Sequence, residues 1–236
     1  MQLHPSGNLE ISSDLELINS LITLEQANLL ELGCGTAFTT RRIAENFPVS
    51  HITAAEVDMI QHEKNLQIND LPKVTFKMAG MEKIPEADNS FDAAIMLKSL
   101  HHVPQNLLQQ GFEEILRVLK PAGFLYISEP VFAGEFNEIL RLFNDEEHVR
   151  QVAFDAVKTA VAGKHYDLKQ EIHFISESRF NGFEEFDKRI LKATHSEFNI
   201  DKPLLEEIKR RFTPHINQDG IAVFHNPMRV DLLQKA

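Results

Sequence analysis

From residue 13 to about residue 129 the chain alternates short apolar runs with longer amphipathic stretches, and that rhythm leaves few folds open. Short runs with no polar face suit strands buried on both sides, and apolar residues at helical spacing between them suit covering helices. A parallel sheet with helices packed on it satisfies both patterns at once. The expected strands are Asn28–Leu32, His51–Glu56, Val74–Met78, 93–97 and 123–128. An opening helix is expected from Ser13, because Ser13 and Glu16 have capping-box spacing ahead of Leu15, Ile18, Leu21 and Ile22. Another helix is expected over 106–119, with Leu107, Leu108, Phe112, Ile115, Leu116 and Leu119 on one face and Pro121 and Gly123 as its stop.

After Pro130 the rhythm turns helical. Phe136, Ile139, Leu140 and Phe143 form one stripe, and Val149, Val152, Ala153, Ala156, Val157 and Ala160 form a second that runs to Gly163. Segments 183–192 and 204–212 follow, the latter opened by Asp201 and Pro203. The end, IAVFHNPMRVDLLQ, has two apolar runs split by Asn226-Pro227 and reads as a closing antiparallel hairpin. Residues 168–175 also alternate, which leaves the identity of the sixth strand open. No linker divides the chain, so a single domain over 1–236 is expected, with a core of 13–130 and 213–236 and a helical lid over about 131–212.

Composition removes several functions. The chain has 236 residues, with 24 Lys and Arg against 35 Asp and Glu, a formal charge of -11. That balance repels a nucleic-acid backbone. Cys34 is the single cysteine, so no internal disulfide is available and a reducing cytoplasm is the expected setting. Acidic residues among the first leucines argue against a signal peptide or membrane span. The histidines show no metal-ligand spacing, so no metal is expected.

The most informative stretch is NLLELGCGTAF, residues 28–38. A glycine loop between strand and helix presents bare backbone N–H groups to a ligand. Phe38 stands where the dinucleotide fingerprint needs its last glycine, and no Gly-Lys-Ser/Thr follows for a phosphate loop. What remains is an acidic residue, Glu31, two positions ahead of Gly33 and Gly35. A carboxylate about 4 Å from a diphosphate costs a few kcal/mol at an effective dielectric near 20, whereas it favours a cation. S-adenosyl-L-methionine carries a sulfonium and an ammonium and no phosphate.

On these residues the chain resembles the class I S-adenosylmethionine-dependent methyltransferases, of the type found in ubiquinone and menaquinone biosynthesis. Three further stretches carry the likeness: ITAAE ending in Glu56, KMAGMEKIPEADNSFDAAIMLKSLHHV, and RVLKPAGFLYISEP. Together they span roughly residues 28 to 130. The resemblance implies an α/β, Rossmann-like doubly wound fold, a mostly parallel seven-stranded sheet with an antiparallel last strand and a helical lid insertion. It implies cofactor contacts from Glu31, Gly33, Cys34, Gly35, Thr36 and Ala37 in the loop, from Glu56 and Val57 after the second strand, from Gly80, Met81 and Glu82 in the turn, and from Leu97, Lys98 and His102. Two positions depart from the family pattern. Ala37 replaces the usual third glycine and narrows the approach to the ligand. Gly80 stands where an aspartate often reads the adenine amino group, leaving the Met81 N–H as the adenine contact.

His101 and His102 are candidate general bases, since a neutral imidazole titrates near cellular pH. Glu129, Asn137 and Arg141 fall beyond the strand ends, where substrates of such sheets bind. Glu138 and Arg141 also have the spacing of a helix-surface pair, and phenylalanines after Pro130 are candidate walls of an apolar pocket. The expected activity is methyl transfer to an unidentified small molecule. No Asn/Asp-Pro-Pro-Tyr/Phe stretch points to amino-directed DNA methylation, and no second cysteine is available for cytosine-5 chemistry. Two alternatives share the architecture: an NAD(P)-dependent oxidoreductase, and a non-enzymatic cofactor-binding member of the methyltransferase fold. The acceptor and the oligomeric state are not readable.

Overall fold

A computed structural model describes residues 1–4, 7–192 and 198–236. The chain opens with α1 (Asp14–Leu21), where Ser13 and Glu16 close the capping box in both directions. It then runs β1 (Asn28–Leu32), α2 (Phe38–Asn46), β2 (His51–Glu56), α3 (Met59–Asn65), β3 (Val74–Met78), β4 (Phe91–Leu97), α4 (Leu108–Val118) and β5 (Leu119–Pro130). After these come α5 (Glu135–Leu140), α6 (Glu147–Ala162), β6 (Tyr166–Asn181), α7 (Gly182–Phe186), α8 (Lys202–Phe212) and β7 (Ile221–Lys235).

The strands form one sheet in the order β3-β2-β1-β4-β5-β7-β6. β1 to β5 are parallel, and β7 runs antiparallel to both β5 and β6. The chain winds outward from β1 through β2 and β3, then returns to the middle at β4. The carboxyl ends of β1 and β4 therefore face a crevice from which the connections diverge, the position at which ligands bind in open sheets of this kind.

Two apolar layers flank the sheet. One packs Phe112, Ile115 and Val118 of α4 and Ala153 and Val157 of α6 against Leu30, Ala94, Leu125 and Ile127. The other packs Ile18 of α1 and Ile43 of α2 against Leu29, Ile95, Tyr126 and Val230. A third cluster joins Phe180, Phe186, Phe212 and Phe224, each no more than 2% exposed. These rings pack against one another at centroid distances of 4.8–6.1 Å. They glue α5, α7 and α8 onto the far ends of β6 and β7, so they build a core of their own and do not wall a pocket.

The end of the chain differs from the expected hairpin. Residues 221–235 form one long strand that passes straight through Asn226-Pro227, and its partner is β6, which contains the alternating stretch 168–175. The proline is tolerated because strand β5 ends at Pro130, opposite Met228; beyond that point the Pro227 carbonyl still accepts the Val131 N–H at 2.9 Å, but no β5 residue pairs with Pro227 in the ladder, so no ladder bond needs its missing N–H. Residues 166–181, inside the stretch expected to be helical, thus complete the sheet. Among the described residues no helix is long and apolar enough to cross a membrane.

Candidate functional site

The glycine loop follows β1 and is tied down on three sides before any ligand arrives. Gly33 and Cys34 donate their N–H groups to the Ala55 carbonyl at 2.9 and 3.0 Å. Glu56, at the end of β2, accepts the Gly35 N–H on Oε2 at 2.8 Å and the Val57 and Asp58 N–H groups on Oε1 at 2.8 and 2.9 Å. Asn65, at the end of α3, donates to the Gly35 carbonyl at 2.8 Å. Gly33 has φ 74°, and a Cβ there would lie 2.6 Å from Cβ of Ser99, whose hydroxyl holds the Leu32 carbonyl. Gly35 has φ 51°, and a Cβ there would meet nothing within 4 Å. The first glycine lets the β4 connection close against β1; the second leaves open space above a bare backbone. Thr36 is exposed at the loop tip.

Glu31 and Ala37 sit differently from the sequence expectation. Glu31 is 3% exposed, and its carboxylate accepts a hydrogen bond from Thr40 of α2 at 2.6 Å. Burial pushes its pKa up to about 7 against the opposing pull of the Thr40 hydroxyl. It braces α2 beneath the loop and reaches the open crevice only through space. Ala37 adopts the left-handed conformation, φ 59° and ψ 27°, at the start of α2, and is 2% exposed. Its methyl group is buried beneath the loop, so the approach to the ligand is not what it narrows. Cys34 is buried as well; burial, with Glu31 and Glu56 nearby, holds its thiol far above the ordinary cysteine range and rules out a thiolate.

Beyond β2 and β3, Val57 is 63% exposed beside Glu56 and offers an apolar face. Met81 buries its side chain in the α4 layer, while its N–H pairs with no backbone carbonyl among the described residues. Gly80 has no side chain of its own, yet a Cβ built there would lie 2.6 Å from Oε1 and 2.7 Å from the carboxyl carbon of Glu82. The Glu82 carboxylate therefore fills the space that an aspartate at position 80 would occupy. Lys98, with φ 54°, turns the chain out of β4 just after Leu97, fixed by its N–H on the Ser128 carbonyl at 2.7 Å, and its side chain is exposed.

A second group of polar residues gathers beyond β4 and β5. His101 is buried in the short turn Leu100–His102, and its Nδ1 is bonded to Glu129 at the end of β5. The other Glu129 oxygen accepts the Leu100 N–H at 2.8 Å, so one carboxylate sets both the turn and the ring. The outer nitrogen, Nε2, faces Glu146 at 3.7 Å. Glu146 is paired with Arg150 of α6 at 2.6 Å and accepts from Asn144 at 2.8 Å; Arg150 donates in turn to Asn137 of α5 at 3.0 Å. Burial works against the charge on Glu146, but His101 and Arg150 outweigh it and its pKa is lowered. His102, its ring tilted 42° against that of His101 with centroids 4.1 Å apart, is exposed. Of the expected substrate residues, Glu129 and Asn137 join this group. Arg141 turns to the surface, paired with Glu138 at 3.5 Å and Asp145 at 3.6 Å.

Ligand atoms of His101, His102 and Glu146 lie within 4.8 Å of one another, near enough to suggest a metal. The Glu146 oxygen already meets a guanidinium at 2.6 Å, however, and that charge opposes a cation. The group is better suited to moving a proton.

Arg150, Glu146, Asn65 and Thr40 were not singled out by the sequence. Arg150 left a trace: it is in helical register with Ala153, Phe154 and Val157, the buried face of α6, and a charged residue at a core position needs a partner. Asn65 and Thr40 left none, because their partners are set by the fold.

Residues 29–123 match the family model described as a methyltransferase domain. An O-methyltransferase of Pyrenophora dematioidea is 31% identical over 135 residues, 54% of this chain and 49% of the relative. A sterol 24-C-methyltransferase of Gibberella zeae is 28% identical over 133 residues, 54% of this chain and 32% of the relative. The chain thus matches half or less of the length of these curated relatives. A crystal structure described as an S-adenosylmethionine-dependent methyltransferase of Mesorhizobium loti superposes with a TM-score of 0.54 at 14% identity, covering 93% of this chain and 96% of the other, which is a likeness of fold.

Proposed function

We propose that this chain, whose residues 29–123 match the model of a methyltransferase domain, is a class I S-adenosylmethionine-dependent methyltransferase and that it methylates a small molecule. The observation that carries the reading is the chemistry around the open space above Gly35. Glu56 closes it on one side and Glu82 stands over Gly80, so these two carboxylates line the crevice, while Glu31 is buried beneath it. A diphosphate brought to that lining is repelled, which argues against a nicotinamide dinucleotide, while a sulfonium and an ammonium are attracted. The residues fit the cofactor in other respects. Glu56 Oε2 has one acceptor position left for a ribose hydroxyl, Val57 gives an apolar face, and Glu82 supplies a carboxylate where Gly80 has none.

Bound there, S-adenosyl-L-methionine supplies an electrophilic methyl group. The chain's own work is to orient, to exclude water and to take a proton. His101 is placed to take that proton. With Nδ1 held by Glu129, Nε2 is the nitrogen that can receive it from an acceptor hydroxyl or ammonium, and Glu129 stabilises the imidazolium that results. The relatives methylate acceptors as different as an oxygen and a sterol carbon by their names, so the acceptor is assigned here only as a small molecule.

Calorimetry with S-adenosylhomocysteine and with NADH, followed by a labelled-methyl assay on the small-molecule fraction of a cell extract, tests the reading. S-adenosylhomocysteine is expected to bind and label to appear in a small molecule. Heat with NADH alone would return the chain to the oxidoreductases. Cofactor binding without any labelled product would favour a non-enzymatic member of the fold.

A further inference from the structure

The group around Arg150 carries an inference about the acceptor, and it rests on the methyl-transfer reading. Arg150 is 9% exposed and Asn137 6%. Two guanidinium nitrogens are occupied, Nη1 on Asn137 and Nη2 on Glu146, but Nε has no partner; Asn137 has its oxygen on Arg150 and its Nδ2 also has none. Both unmatched atoms are buried donors, so what is missing is an acceptor of hydrogen bonds. One carboxylate already stands at this place, and the chain itself supplies it. Glu146 bonds Arg150 and lies 3.7 Å from His101 Nε2, the one ring nitrogen that Glu129 leaves available.

We propose that the methyl acceptor is a carboxylic acid that also bears a hydroxyl or ammonium group: its carboxylate replaces Glu146 on Arg150 and thereby uncovers His101, which takes the proton that the hydroxyl or ammonium loses as its oxygen or nitrogen gains the methyl group. The exchange is required in both directions. No acceptor can deliver a proton to Nε2 while Glu146 covers it, and Arg150 cannot release Glu146 inside an apolar layer without taking another anion. A neutral acceptor would leave that guanidinium unpaired. An acceptor bearing a carboxylate satisfies Arg150, gives the Nε and Asn137 donors an oxygen to meet, and opens the base. The planar fork of Arg150 suits a carboxylate in particular, and the ring of Phe132, 5.8 Å from the guanidinium, offers the rest of such a molecule an apolar surface.

The test uses the labelled-methyl assay on one extract in three portions: untreated, amidated with carbodiimide and excess methylamine, and treated with phosphatase. Label from the wild-type protein is expected to fall at least tenfold after amidation and to persist after phosphatase. Arg150→Gln is expected to lose at least tenfold in transfer at limiting extract while binding S-adenosylhomocysteine as before, and Arg150→Lys to recover part of it. Glu146→Gln, which removes the competing carboxylate, is expected to transfer at lower extract concentration than the wild type. Full label from the amidated portion, or a loss in Glu146→Gln that parallels Arg150→Gln, overturns the proposal and leaves methyl transfer standing. Loss of label only after phosphatase makes the anion a phosphate and also overturns it. No label from the untreated portion overturns methyl transfer and this proposal together.

Discussion

The two flanks of the crevice between β1 and β4 hold their polar groups by opposite means. On the β1–β2 flank the site is made of backbone: Gly33, Cys34 and Gly35 are fixed by main-chain hydrogen bonds and by three N–H groups gathered on Glu56. On the β5–β7 flank it is made of side chains meeting side chains, His101 with Glu129, Arg150 with Asn137 and Glu146, Arg229 with Asp231. Backbone geometry is set locally and tolerates most side-chain changes nearby. A buried ion pair depends on both partners, because either one alone is a charge stranded in an apolar medium.

The largest expected effect is on the side-chain flank. Arg229 and Asp231 are 3% and 0% exposed, bonded at 2.9 Å, with the guanidinium stacked 4.1 Å above the ring of Phe154. Burial lifts the Asp231 pKa to about 6 even against the pull of Arg229. Arg229→Met keeps the bulk and removes the charge, and is expected to cost about 3–5 kcal/mol near neutral pH. A carboxyl raised in the folded state contributes most at low pH and loses that contribution as pH climbs through its folded pKa. Without Arg229 the rise is greater still, so urea midpoints should show the deficit widening from pH 5 to pH 8. A deficit under about 1 kcal/mol at both pH values would mean that this flank is as tolerant as the other.

Next comes Glu31, the buried carboxylate that braces α2 beneath the backbone flank. Its folded pKa of about 7 lies above the ordinary 4.5, so between those values the folded chain keeps a proton that the unfolded chain has released. Stability is therefore expected to fall as pH rises across that window, by roughly 3 kcal/mol at most. Glu31→Gln keeps an oxygen for the Thr40 hydroxyl and removes the titration. It should match the wild type at pH 4, exceed it at pH 8 by roughly 2 kcal/mol, and bind the cationic cofactor more weakly at pH 8. If the variant and the wild type are equally stable at pH 8, burial does not raise the Glu31 pKa, and Glu31 is ionised in the folded chain below pH 7 as well.

The same contrast explains what could be read from the sequence. β1, β2 and β3 fall on their expected residues, and α4 within two residues at each end, because uniform apolar runs and helical stripes are local signals. The loop was legible for the same reason, as positive φ asks for glycine. The β6–β7 pairing was not, since Asn226-Pro227 looks like a turn until β5 is seen to end opposite Met228. Nor was the Arg150 group: Asn137 and Arg150 lie on different helices, and the Glu129 to His101 bond spans 28 residues. Nothing local announces such partners. The lone local hint, an arginine in the buried register of α6, is visible only to a reader who asks which helix positions face inward.

The smallest expected effect asks whether the backbone flank can be improved without touching its function. Ala37 holds φ 59°, a conformation that costs an L-residue about 1 kcal/mol or more. Glycine removes that strain but loses more freedom on folding, by about 0.5–1 kcal/mol, so Ala37→Gly should stabilise by about 0.5 kcal/mol or less. Because the methyl group is buried under the loop, affinity for S-adenosylhomocysteine should shift by less than about twofold, equivalent to about 0.4 kcal/mol. Paired urea and calorimetric titrations read both quantities. A several-fold gain in affinity with little change in stability would mean that the methyl group does crowd the ligand and that the loop moves when it binds. A flank built from backbone would then be shaped by its ligand, and the contrast with the ion-paired flank would soften.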